Sequence, residues 1–173
     1  SPMVVHFTVA DATGRGGVGL GTSLRSNGTD MNWARFSIAK LVPGTNGDPD
    51  QWVSYIVGSR GPTYERIAAG LTDHEDGSYT YTFAQDLDAY DGVTYEPGLT
   101  HRLAIQSSGG EWDAVNLIYD FVPSQLPGPF ALPLTRDITT NAACNECHGD
   151  LAIHGSRYEV RSCVVCPNAG LGD

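Results

Sequence analysis

Lysine is almost missing from this chain. Of ten basic residues only Lys40 is a lysine, and the other nine are arginine. Twenty acidic residues stand against them, for a formal charge of −10. Nucleic-acid partners are thereby disfavoured, because phosphate binding rests on clustered Lys and Arg. Long apolar runs are absent too: none approaches the roughly 20 residues that span a bilayer, so no transmembrane segment is expected. No signal peptide precedes "SPMVVHF", which enters a strand pattern at once. The chain therefore reads as a mature protein or an excised fragment, and the missing leader is silent about compartment. There is no Ser-His-Asp set, no phosphate loop and no pair of carboxylates in a catalytic setting, so enzymatic turnover has little support. Helical periodicity is scarce. With 40% hydrophobic and 17% charged residues the chain is nevertheless globular, not disordered.

What is present is a series of short β-like runs punctuated by 21 glycines and 10 prolines. "VVHFTV" (4–9) alternates with period two, and "NWARFSIAKLV" (32–42) does so over a longer reach, with Trp33, Phe36, Ile38 and Leu41 apolar and Arg35 and Lys40 polar. "WVSYIVG" (52–58), "GSYTYTFA" (77–84), "THRLAIQS" (100–107) and "VNLIYDFVP" (115–123) follow. Asp76-Gly77 and Asp91-Gly92 are turn signals. Six to eight short strands predict a mainly β fold, an antiparallel sandwich or split Greek-key barrel over residues 1–125. Eight Tyr, five Phe and three Trp fall at strand spacing and read as core.

The character changes at "VPSQLPGPFALPL" (122–134), which carries four prolines in positions 123–133. Residues 126–135 read as a stiff linker, and 136–173 as a small loop-rich segment with one short helix that Thr139 or Thr140 would cap. All four cysteines lie in that segment, in "CNECHGDLAIHGSRYEVRSCVVCPN" (144–168). Cys144-x-x-Cys147-His148 has the spacing of a c-type haem attachment site, in which two thiols form thioethers and the adjoining histidine reaches the iron. Cys163-x-x-Cys166 completes C-x2-C-x15-C-x2-C, a pattern equally suited to four thiolates around structural zinc. Spacing alone leaves the two readings level.

The surrounding residues resemble the segment that opens the haem region of the OmcA/MtrC family of outer-surface multihaem cytochromes. That pattern is approximately CxxCHG-x-L-x-x-HG-x-R-x-x-V-x-x-C-x-x-CHN. It maps onto Cys144, Cys147, His148, Gly149, Leu151, His154, Gly155, Arg157, Val160, Cys163, Cys166 and Asn168. Upstream, "FSIAKLVPG", "DGSYTYTF" and "VTYEPGLTHRLAIQSSG" look like the family's N-terminal β-domain. The resemblance implies haem c tethered by Cys144 and Cys147, His148 as proximal iron ligand and His154 as a candidate distal ligand. It implies an electron carrier, not an enzyme, with terminal metal reduction left open. Two nitrogen ligands favour electron transfer over oxygen chemistry. The implied location is extracytoplasmic, at the cell surface on the outer side of a bacterial outer membrane or in the periplasm. The implied partners are other cytochromes or copies of the chain itself, together with soluble or mineral electron acceptors. One departure matters. Pro167 stands where the second motif should carry its histidine, and proline offers no ligand. The Cys163 and Cys166 pair is therefore open between a disulfide and a second haem ligated from elsewhere.

The other histidines read differently: His6 and His101 as strand residues, surface or packed, and His74 as a solvated loop residue. His101, at a strand start, would be within reach of a haem docked on the barrel. Asp86, Asp88 and Asp91 in "DLDAYDG" are hard oxygen donors suited to calcium, without the EF-hand register. Glu146 and Asp150 beside the first motif would favour ferric iron. The competing class is a non-redox binding or assembly module with a zinc-stapled tail.

Overall fold

The computed structural model describes residues 1–59, 61–110, 112–126, 140–148 and 159–161, with backbone alone at Trp112, Cys144, Cys147 and His148. Among these residues the fold is mainly β and every strand pairing is antiparallel. One sheet has three strands in the order β1 (Val4–Thr8), β7 (Ser78–Thr82), β6 (Leu71–Asp73). The other has four, in the order β3 (Gln51–Ser54), β2 (Ala34–Val42), β8 (His101–Gly109), β9 (Trp112–Phe121). A two-stranded ribbon of β4 (Val57–Gly58) and β5 (Gly61–Pro62) completes the set.

The alternation in the sequence produces the core directly. In β7, Tyr79 and Tyr81 turn inward and are buried, while Ser78, Thr80 and Thr82 take the opposite face, as the period-two pleat requires. Phe36 and Ile38 of β2 meet them from the other sheet. The Phe36 ring stacks on Tyr81 with centroids 3.7 Å apart and planes within 1°. Burying one such aromatic removes enough apolar surface from water to stabilise the fold by about 1.5–3 kcal/mol. The Tyr81 hydroxyl donates to Glu65 Oε1 at 3.0 Å, so the polar end of that ring is satisfied inside the core. Asp76-Gly77 forms the β6–β7 turn. Gly77 adopts φ +90°, and Asp76 Oδ1 accepts from the Ser78 amide at 2.8 Å.

The expected strand over 52–58 breaks between Ser54 and Val57, because Tyr55 is drawn into the core and hydrogen-bonds His101. β6 has only three residues, too few for alternation to announce it. The sandwich does not close. β1 and β9 are both sheet edges among the described residues, and cavities of 360 and 480 Å³ run along the seam between them, sharing Phe7, Ile105 and Leu117. This is the split form of the expected sandwich or barrel.

Register decides what the outer face of the larger sheet carries. Ala39 pairs with Arg102 and Arg102 with Asp120, so these residues share the face turned away from the core. Ala39 and Ala104 on that face are 0% and 7% exposed and form a second small cluster with Trp52 and Ile118. An outer face this buried is a covered face.

Candidate functional site

The first cysteine motif lies on α1 (Asn141–His148), the one α-helix among the described residues. Thr140 caps it, its Oγ1 accepting from the Ala143 amide at 3.2 Å, as a threonine one residue before a helix should. At 100° per residue, positions 147 and 148 fall on either side of position 144 on the helical wheel. Cys144, Cys147 and His148 thus occupy one face at spacings i, i+3 and i+4.

Two polar contacts tie this helix to the sheet. The Val160 amide donates to Asn141 Oδ1 at 2.8 Å, fixing residues 159–161 against the start of α1. The Arg161 carbonyl accepts from Arg102 Nη1 at 3.4 Å, fixing the same residues against β8. Arg161 also binds Glu159 through Nε and Nη2, at 3.1 and 2.9 Å. Hydrogen bonding from Arg161 holds the Glu159 carboxyl below its ordinary range.

Arg102 is the centre of this junction. Its side chain is 1% exposed and grips Asp120 through two parallel bonds, Nε to Oδ1 at 2.7 Å and Nη2 to Oδ2 at 2.8 Å. The guanidinium also stacks on Trp52, 4.2 Å from the ring centroid. Charge, fork geometry and π-stacking are the combination for which arginine differs from lysine. Trp52 Nε1 is buried with no hydrogen-bond partner among the described residues. A buried indole donor without an acceptor is costly and calls for a group to answer it.

Other expected residues are distributed differently. His101 is fully buried and both ring nitrogens are engaged. The Leu99 carbonyl, 2.9 Å from Nδ1, can only accept, so Nδ1 carries the proton and Nε2 accepts from the Tyr55 hydroxyl at 2.7 Å. A neutral imidazole used at both ends is a packing residue, and His101 has no nitrogen left for an iron. His6 and His74 are exposed, on one face of the smaller sheet and in the β6–β7 loop. Asp86, Asp88 and Asp91 form no metal-holding group, nor do any three His, Cys, Asp or Glu side chains among the described residues. Glu146 is exposed. His154, Cys163, Cys166 and Asp150, and the linker beyond Leu126, lie outside the described residues. Sequence reading missed Arg102, Asp120, Trp52 and Asn141. The signal was the shared parity of Arg102 and Asp120 in strands whose neighbours alternate with apolar residues.

Burial pushes the His101 pKa below its ordinary 6.5, and nearby Lys40 acts in the same direction, against the Leu99 bond and the Glu96 charge. Below pH 6.5 the unfolded chain therefore binds a proton that the folded chain refuses, and stability falls as pH drops. The loss approaches about 1.4 kcal/mol per pH unit for one such group. Glu65, whose carboxyl burial pushes up, works in the opposite sense. The expected result is accordingly a difference: urea unfolding at pH 7.5 and 5.5 should show a steeper acid loss for the wild type than for His101→Gln.

No protein-family model matches the chain. The multiheme cytochrome MtrC of Shewanella baltica (strain OS185) is 30% identical over 148 residues, covering 79% of this chain and 22% of that protein. The crystal structure of MtrC from Shewanella baltica OS185 superposes with a TM-score of 0.72 at 28% identity, covering 98% of this chain and 28% of that one. The chain is a relative of the OmcA/MtrC family. The outer membrane decaheme cytochrome OmcA agrees in fold, with a TM-score of 0.69 at 27% identity over 94% of this chain and 27% of that one. The present chain thus spans about a quarter of the length of the OmcA and MtrC chains it matches. No helix among its described residues is long and apolar enough to cross a membrane.

Proposed function

We propose that this chain is an extracytoplasmic electron-transfer unit carrying covalently attached haem c at Cys144 and Cys147. The observation that carries this reading is the capped helix α1, which sets both cysteines and His148 on one face at i, i+3 and i+4. Cys144 and Cys147 would tether the porphyrin and His148 would ligate the iron, with His154 the candidate for the opposite position. Bound haem supplies a one-electron ferric/ferrous couple whose potential follows axial ligation, burial and nearby charge. The chain's own residues do the rest. Asn141 and Arg161 hold the motif helix against the β-sheet, and the buried N–H of Trp52 on that sheet suits an acceptor such as a haem carboxylate.

Cys163 and Cys166 form either a disulfide or a second haem site lacking its usual histidine. With one or two haems, onward transfer requires another redox centre close by. The partners that fit are other cytochromes, further copies of the chain, or a soluble or mineral acceptor at the cell surface. Net charge −10 favours partners or acceptors that present cations.

The test is a visible spectrum of the purified chain, oxidised and then reduced with dithionite, with pyridine haemochrome quantification. A Soret band with sharp reduced α and β bands and about one haem per chain is the expected result. A colourless protein holding one zinc per chain, made in a host that attaches haem to a control cytochrome, would overturn it.

A further inference from the structure

Two exposed histidines meet on the smaller sheet, and neither belongs to a cysteine motif. His6 of β1 pairs directly with Thr80 of β7, and its Nδ1 lies 3.0 Å from Thr80 Oγ1. His74, in the loop after β6, approaches the same oxygen, with Nε2 at 2.9 Å. The two imidazole nitrogens are therefore at most about 6 Å apart, the length of both bonds laid end to end. We propose that His6 and His74 form a surface site for a divalent transition-metal cation of the nickel, copper or zinc class, with water completing the coordination.

Imidazole nitrogen suits these cations, whereas calcium and magnesium prefer oxygen. Metal–nitrogen bonds of about 2.0–2.1 Å place two ligands on one ion roughly 3–4 Å apart. Exposed rings reach that spacing by side-chain rotation alone, since neither is packed in the core. The backbone beneath is fixed: β1 and β7 pair along five residues, and the His74 amide donates to the Ser78 carbonyl at 3.1 Å. Asp73, Glu75 and Asp76 flank His74 and lend the loop a negative field. Asp76, kept ionised chiefly by hydrogen bonds from Ser78, stands close enough to His74 for their charges to interact.

The test is isothermal titration of the purified chain with nickel chloride at pH 7.5. A saturable component of one nickel per chain is expected, weakened tenfold or more in His6→Asn and in His74→Asn alike, because either change leaves a single imidazole. Thr80→Val removes the shared hydroxyl but neither ring, and should keep the component. Unchanged binding in both histidine variants would assign the nickel elsewhere and overturn the site. So would dependence on only one histidine, or loss of binding in a normally folded Thr80→Val.

Discussion

Asp120→Ala is expected to destabilise the chain by about 3–5 kcal/mol, a large share of a small domain's stability. The substitution takes the carboxylate away from Arg102, which is 1% exposed and held by two bonds of 2.7 and 2.8 Å. A guanidinium that loses a carboxylate held by two bonds in a water-poor site costs far more than the pair gained on forming. Stacking on Trp52 and the bond to the Arg161 carbonyl remain and set the loss toward the lower end of that range. Asp120→Asn should fall between, since it keeps an acceptor but not the charge. Urea unfolding with an unchanged slope and a lowered midpoint is the readout. A loss below about 1 kcal/mol would place the pair among surface ion pairs and refute its burial.

The paired substitution separates two causes. Arg102→Met with Asp120→Leu removes both charges and retains apolar volume, and such replacements are commonly neutral or stabilising. The double variant is therefore expected to be more stable than Asp120→Ala alone. It also cuts the link from β8 to the Arg161 carbonyl. If the junction holds the motif helix in place, the double variant leaves the β-domain intact while residues 140–148 gain amide exchange. The core and the junction are then distinguishable within one protein.

The β-domain was largely readable because its strands obey a single rule. Phe36, Ile38, Tyr79, Tyr81, Leu103 and Ile105 alternate with smaller or polar residues, and all six are buried. Lys40 breaks the rule. By parity it belongs with Phe36 and Ile38, yet its ammonium is satisfied inside by the Thr94 carbonyl and by Glu96 Oε2 at 2.6 Å. No local pattern announces such a pairing across 54 and 56 residues of sequence. Arg102 and Asp120 were hidden for the same reason: their meaning depends on the β8–β9 register and on a covered outer face. The cysteine motif stands out in the sequence because its spacing is local. Its seat on the β-domain does not, because it is made by Asn141 with Val160 and by Arg161 with Arg102.

Locality is also what makes the cysteine pairs separable by experiment. Under the haem reading, Cys144→Ala with Cys147→Ala should abolish covalent haem: no peroxidase-active band on a denaturing gel and no haemochrome after acid-acetone extraction. Cys163→Ala with Cys166→Ala should leave about one haem per chain, because Pro167 denies that pair the adjoining ligand. A wild-type ratio of two that falls to one in the second variant would establish a second haem and exclude the disulfide. A haem-to-protein ratio in the first variant unchanged from the wild type would overturn the assignment of α1. His148→Met refines the same test. It leaves both thioether positions in place, and methionine ligation raises the potential of a haem relative to histidine. A higher midpoint with unchanged haem content would identify His148 as the axial ligand, whereas an unchanged midpoint would show that the iron is held by another residue.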